Sequence, residues 1–163
     1  MSHTPSLAFQ DRVLQSETRC GPGRSATKVD STSAARHNPT MQTLPFVTST
    51  AEQPLQTFDW GTLQWLANGK LAAGCQQTFG ISRIKPGCRN PLHFHPNCEE
   101  ILYVVSGCCD HSYDGQSFRL GPGSTIVLPA GVKHNLVNPG AEDVVCLISF
   151  SSPDRQTVFL EPL

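Results

Sequence analysis

Apolar residues occur in short runs from about residue 57 onward, and turn-forming residues interrupt these runs at intervals of roughly eight to twelve positions. This spacing is typical of an antiparallel β-sandwich or barrel. The predicted strands are TFDWGTLQWLA, QQTFGISRI, EEILYVVSG, SFRLG, STIVLP, NLVN, DVVCLISF and RQTVFLE. Only residues 67–75 allow a helix, and Gly69 and Gly74 keep such a helix short.

One hairpin is marked by its turn residues. Asp114-Gly115 lies between Tyr113 and Gln116, and Asp-Gly tolerates the positive φ angles that a two-residue hairpin turn requires. We therefore predict two antiparallel strands on either side of it.

The first 40 residues differ from the rest of the chain. They contain eleven Ser or Thr and show neither helical nor strand periodicity, so they bury too little apolar surface to offset the entropy of ordering. We predict a disordered tail over residues 1–40 and one domain over residues 41–163. Met41 is a possible natural start, a question that the sequence does not decide.

Composition narrows the function classes. The 163 residues suit a single domain, and 12 basic against 13 acidic residues, without blocks, give no patch for nucleic acid or an anionic membrane. The predicted partners are a small-molecule substrate and a second copy of the chain. No apolar run resembles a signal peptide or a membrane span, so we expect a cytoplasmic protein.

Seven cysteines form an odd set, and none of them shows C-x-x-C spacing. A structural zinc site is therefore disfavoured. We expect free thiols that pack as small apolar side chains.

The candidate chemistry lies in the stretch PLHFHPNCEEILYVVSG. His93 and His95 are two residues apart, so both side chains point to one face of an extended strand. After a Pro-Asn turn the chain returns with Glu99 and Glu100, which point to opposite faces. Alternation alone leaves open which glutamate joins the histidines.

Two stretches of the chain have motif-like spacing. The spaced positions of the first are Gly87, His93, His95, Glu100 and Gly107, and those of the second are Gly123, Pro129, Gly131, His134 and Asn138. These stretches resemble the two motifs of the cupin superfamily, in particular those of single-domain proteins of the cupin-2 type that are similar to quercetin dioxygenases. Glu99 does not fit the first motif, because Ser106 and not a glycine follows at the required spacing.

The resemblance covers roughly residues 57–160 and implies an all-β fold, the double-stranded β-helix or jelly-roll barrel. It further implies one divalent transition metal, Fe, Mn, Ni, Cu, Co or Zn, bound by His93, His95, Glu100 and His134. Glu100 is also the expected catalytic residue, as a proton acceptor. The glycines and the proline of the motifs are expected to be structural.

Other residues receive weaker assignments. His111, like His3 and His37, is interpreted as a structural or exposed histidine, and Cys98 as a turn residue. Alternation gives four candidates for the barrel mouth, which are Gln77, Phe79, Arg83 and Tyr103.

Three functions remain open at this point. The first is a metal-dependent oxygenase of the dioxygenase type that acts on an enol, a phenol or a diketone. The second is an isomerase, decarboxylase or lyase that uses the metal as a Lewis acid, and the third is a barrel that binds a small molecule without turnover. The resemblance also favours a homodimer, in which residues 41–66 and 153–160 pair across subunits or cover sheet edges, with Trp60 and Trp65 in the core or the interface.

Overall fold

The computed structural model describes residues 45–162, and this part of the chain is all-β, with no helix. The tail predicted at residues 1–40 lies outside the described residues. The strands are β1 (Leu55–Phe58), β2 (Gly61–Ala67), β3 (Thr78–Ile84), β4 (His93–Phe94), β5 (Glu100–Ser106), β6 (Cys109–Tyr113), β7 (Gln116–Leu120), β8 (Thr125–Leu128), β9 (Leu136–Val137), β10 (Val144–Phe150) and β11 (Val158–Phe159).

The strands form one large sheet and two small ones. The six-stranded sheet has the order β1-β2-β3-β10-β5-β8, the three-stranded sheet the order β7-β6-β9, and β4 pairs with β11. Every strand pairing is antiparallel. The jelly-roll architecture expected from the sequence is therefore confirmed.

The core lies on one face of the large sheet. Along β10 every second residue is buried, from Val144 to Phe150, and β3 and β5 alternate in the same way. The fully buried apolar side chains include Ile84, Leu102, Val104, Cys109, Val144, Cys146, Ile148 and Phe150. This alternation fixes which face of each strand meets the interior.

The segment between β2 and β3, the only one where the sequence allowed a helix, forms turns at residues 68–74. The side-chain oxygen of Asn68 accepts hydrogen bonds from the backbone N–H groups of Lys70 and Leu71. An asparagine that binds the next backbone donors competes with helix formation. The stretch TFDWGTLQWLA is likewise two strands, β1 and β2, with a turn between them.

The Asp114-Gly115 hairpin is confirmed. Both residues have positive φ, 45° and 86°, and they join β6 to β7. Strand β6 itself is missing from the predicted strands, because its sequence CDHSY is polar and lacks an apolar run.

The terminal segments pair within the chain. Strands β1 and β2 extend the large sheet beside β3, and β11 pairs with β4. All six cysteines in the described part of the chain are free thiols, as expected. Among residues 45–162 there is no helix long and apolar enough to cross a membrane.

Candidate metal centre

Two neighbouring chain segments carry the histidines. His93 opens β4 and is paired with His134 in an antiparallel bridge. Its N–H donates to the carbonyl of His134 at 3.0 Å, and the N–H of His134 donates to the carbonyl of His93 at 2.8 Å. Residues directly opposite each other in an antiparallel pair place their side chains on the same face, so the two imidazoles face the interior together.

The turn before His134 forms a backbone hydrogen bond with His95. Gly131 has φ 85°, and its N–H donates to the carbonyl of His95 at 2.9 Å. Because glycine adopts this φ without steric cost, the chain can turn directly into the segment that carries His134.

The structure places Glu100, and not Glu99, beside the histidines. Glu100 opens β5 opposite Leu128 of β8 and Phe150 of β10, and its side chain is buried. Glu99 is exposed. The spacing argument and the observed geometry therefore select the same glutamate.

The four side chains converge closely. One ligand atom from each of them lies within 4.8 Å of the others. The carboxylate Oε2 of Glu100 is 3.1 Å from Nε2 of His95 and 3.1 Å from Nε2 of His134. Adjacent ligands on an octahedral metal with bonds of ~2.1 Å stand ~3.0 Å apart, so these distances suit a metal between the groups.

A backbone carbonyl fixes the orientation of each imidazole through the Nδ1 atom of the ring. Nδ1 of His93 faces the carbonyl of Pro91 at 2.8 Å, Nδ1 of His95 faces that of Gln156 at 2.7 Å, and Nδ1 of His134 faces that of Val132 at 2.9 Å. A carbonyl oxygen only accepts hydrogen bonds, so Nδ1 carries the proton in each ring. The Nε2 lone pairs are thereby left for a metal, as in metal sites with backbone-bonded histidines.

One buried polar atom of the ligand cluster has no hydrogen-bond partner. Among the described residues, Nε2 of His95 is buried without a hydrogen bond. Its 3.1 Å approach to the carboxylate lacks the alignment of a hydrogen bond, and we therefore treat that contact as electrostatic only. Buried polar atoms are rarely left unsatisfied, so the donor set fits a bound cation.

Glu100 and His134 change each other's ionisation. Burial by itself would raise the pKa of Glu100, but the imidazoles of His134 and His95 outweigh it and the pKa is lowered. Burial opposes protonation of His134, yet the hydrogen bond to Glu100 prevails and the pKa of that imidazole is raised. Without a metal, His134 and Glu100 therefore form an ion pair.

His93 behaves differently from His134. Burial first, and then repulsion by His134, lower the pKa of His93 to about 3. This imidazole is neutral at physiological pH and ready to donate its Nε2 lone pair.

His111 is hydrogen-bonded and lies outside the ligand cluster, as the sequence interpretation expects, but its position in the pocket was not predicted. It is buried and lines the same pocket, and its ring stacks on that of His134 with centroids 5.7 Å apart and planes 16° apart. Burial lowers the pKa of His111 to about 4. The usable signal was its position two residues after the apolar Cys109, on the inward face of β6.

The ligand cluster lies at one end of a pocket with apolar walls. The lining residues, apart from the four ligands and His111, include Phe58, Trp60, Trp65, Leu102, Phe150 and Phe159. The four predicted mouth residues are all absent from this lining. Tyr103 and Arg83 are exposed because they alternate with the inward residues Leu102 and Ser82, so the prediction chose the wrong strand face.

Cys98 is buried in the turn between β4 and β5 and does not belong to the ligand cluster. Burial raises the pKa of its thiol. A protonated thiol is a poor metal ligand, which agrees with the assignment to the turn.

The chain is similar to proteins that carry a cupin domain. Residues 80–150 match the family model described as "Cupin domain". A mutant of the Bacillus subtilis oxalate decarboxylase OxdC has a similar fold, with a TM-score of 0.66, 25% identity, and coverage of 73% of this chain and 33% of that one. The matched residues run from within β3 to the end of β10.

Two curated relatives are similar to parts of the chain. Polyketide synthase CurC of Streptomyces cyaneus is 30% identical over 83 residues, which cover 51% of this chain and 54% of the relative. Auxin-binding protein T85 of Nicotiana tabacum is 31% identical over 123 residues, with coverage of 68% and 65%. The chain thus spans about half to two thirds of the length of these relatives.

Proposed function

We propose that this cupin domain is that of a metal-dependent enzyme, an oxygenase of the dioxygenase type that acts on a small organic substrate. In this proposal His93, His95, Glu100 and His134 hold one divalent transition metal. The observation that carries the proposal is the convergence of three Nε2 lone pairs and a carboxylate at one end of a pocket with aromatic walls.

The donor set decides which chemistry is open. Three imidazoles and one carboxylate suit Fe, Mn, Ni, Cu, Co or Zn, and four protein ligands leave positions for a substrate. A bound metal of this kind supplies Lewis acidity and, if it is redox-active, electron transfer to dioxygen. The three histidines would hold the metal in a fixed orientation, because backbone carbonyls keep their rings in place.

Glu100 has two proposed roles. Its lowered pKa keeps the carboxylate ionised at neutral pH, as a metal ligand must be. An ionised carboxylate that lines the pocket can also accept a proton from an enol or phenol. Its low basicity makes ligation the stronger role.

The pocket walls favour a substrate with apolar surface. The rings of Phe58 and Trp60 stack with centroids 4.8 Å apart, and Trp65 meets Phe150 edge to face at 6.1 Å. Burial of a flat organic molecule against such rings contributes about 25 cal/mol per Å² of apolar surface.

A Lewis-acid function is the second candidate. The similarity to oxalate decarboxylase structures favours a decarboxylase, isomerase or lyase. That similarity covers about a third of those chains, and a shared fold does not imply a shared reaction. Non-catalytic binding of a small molecule would give retention without turnover.

Two measurements test the proposal. Protein purified without added metal is analysed for metal content, and oxygen uptake is then followed with enols, phenols and diketones. About one equivalent of Fe, Cu, Ni or Mn with oxygen uptake supports the oxygenase. Turnover without oxygen supports the Lewis-acid function, and a protein that takes up no transition metal contradicts both.

We further propose a homodimer in the cytoplasm. Strands β5 and β8 expose apolar side chains on the outer face of the large sheet, and free thiols suit a reducing compartment. The exposed apolar residues are Ile101, Tyr103, Val105 and Val127. Sedimentation equilibrium tests the dimer, and Val127→Glu is expected to give monomers.

A further inference from the structure

Arg155 follows β10 and places a cation at the edge of the metal pocket. Its guanidinium lies over the ring of Trp65, 4.6 Å from the centroid, and over that of Phe150 at 5.0 Å. The residue lines the pocket together with the ligand cluster, and with Trp65 it also lines a neighbouring polar groove. The cation can therefore be reached from solvent as well as from the pocket.

No ion pair in residues 45–162 includes Arg155. Two other arginines do form ion pairs, and both are exposed. Arg89 pairs with Glu161, and Arg119 pairs with Asp110. Burial lowers the pKa of Arg155, but a guanidinium remains charged at neutral pH. A partly desolvated cation without a carboxylate partner is costly, and an anion in the pocket would offset that cost.

The cation is close to the metal ligands. Arg155 donates a hydrogen bond to the hydroxyl of Thr157, and this hydroxyl lies 3.3 Å from Nδ1 of His95. The ring of Phe150 contacts both Arg155 and His95, because the guanidinium lies over it and the His95 ring meets it edge to face at 4.9 Å. The guanidinium and the ligand cluster thus line the same pocket.

The segment that carries Arg155 is held in place. The side-chain amide of Asn97 donates to the carbonyl of Asp154 at 2.9 Å, and its oxygen accepts from the N–H of Gln156 at 3.0 Å. These two bonds bracket Arg155 and tie it to the turn that follows His95. A positioned cation gives up less entropy when it binds an anion.

The pocket also contains a donor without an acceptor. The indole Nε1 of Trp60 is buried and unpaired within the described residues, and Trp60 lines the same pocket. A neutral apolar substrate would satisfy neither this N–H nor the guanidinium. An acidic group on the substrate can accept a hydrogen bond from the guanidinium.

We infer that Arg155 binds the acidic group of the substrate, so that the pocket takes a small carboxylate or enolate with a flat apolar body. The inference rests on the proposed function for the placement of the metal, and it adds the charge of the substrate. Arg155 acts as a specificity-determining residue, and the aromatic walls bind the apolar part.

The test compares an anion with its neutral amide. Benzoate and benzamide are titrated by calorimetry into the full chain, both metal-free and after reconstitution with Co²⁺. We expect wild-type protein to prefer benzoate, and Arg155→Met to weaken benzoate binding at least about tenfold while benzamide binding stays the same, since a hydrogen bond to a charged group is worth about one to two decades in affinity. Arg155→Lys should recover part of the loss.

The matched control is Arg83→Met, which removes an exposed arginine outside the pocket lining. It should leave both affinities unchanged. Equal benzoate affinity in wild type and Arg155→Met, or no preference of wild type for the anion over the amide, overturns the inference. Co²⁺ uptake, read from its absorption bands, is independent of Arg155, so absent uptake contradicts the metal proposal alone.

Discussion

His93 and His134 exchange both of their backbone hydrogen bonds, at 3.0 and 2.8 Å, and their rings lie 4.3 Å apart. The pairing of two imidazoles that face a shared metal position is thus set by the backbone. Because these bonds belong to the fold, the site is preorganised, and a metal that binds it does not have to pay for bringing the segments together.

Glu100→Ala is expected to weaken metal binding, and Glu99→Ala is not. Glu100 contributes the only carboxylate of the cluster, whereas Glu99 is exposed on the opposite face of the strand. Loss of a ligand should cost at least about tenfold in affinity, measured by competition with a chelating dye. A larger loss in Glu99→Ala would contradict the observed register.

Metal binding is expected to weaken as the pH falls. In the metal-free protein the pKa of His134 is raised by Glu100, so this imidazole carries a proton that the metal must displace. Below that pKa the affinity should fall by up to about tenfold per pH unit for one displaced proton, and above it the affinity should level off. Titrations in buffers of different ionisation enthalpy count the released protons, and an affinity that is independent of pH near neutrality would contradict the ion pair.

The metal-free protein should lose stability in acid. The pKa values of His93 and His111 are lowered to about 3 and about 4, so the unfolded chain binds protons first as the pH falls below about 6.5. Above that pH the two neutral rings make their full contribution to the free energy of unfolding. As the pH falls toward the folded-state pKa values, this contribution decreases by up to about 1.4 kcal/mol per pH unit for each ring. The raised pKa of His134 acts in the opposite direction.

His111→Gln isolates one of these contributions. Urea unfolding between pH 7 and pH 5 should show a shallower loss of stability for this variant than for wild type. An unchanged slope would mean that His111 titrates normally in the folded protein.

Gly107→Ala should destabilise the fold more than Gly123→Ala. Both glycines have positive φ, 77° and 86°, but a Cβ at Gly107 would stand 2.7 Å from the carbonyl oxygen of Asp143, whereas one at Gly123 meets nothing within 4 Å. We expect a loss of about 1 kcal/mol at Gly123 from the backbone conformation alone, and more than about 2 kcal/mol at Gly107. Thermal unfolding of the two variants measures the difference, and equal losses would contradict the close approach.

The sequence by itself determined the β architecture, the Asp-Gly hairpin and the choice of Glu100 beside three histidines. These conclusions depend on local signals, the period of two along a strand and the fixed spacing within a motif, which survive without knowledge of neighbouring strands. The same local signals failed where a segment was polar, as in β6, and they could not choose the inward face for Tyr103 or Arg83.

Only the tertiary structure decided which distant residues share the pocket. His111 comes to the ligand cluster through the pairing of β6 with β9, and Arg155 through the bonds of Asn97 to the segment after β10. Alternation along β6 marks the inward face of His111, but neither contact with the ligand cluster can be read from the sequence, because both arise from strand register and loop closure between segments far apart in the chain. The charge and shape of the pocket, and with them the class of substrate, are therefore properties of the folded molecule.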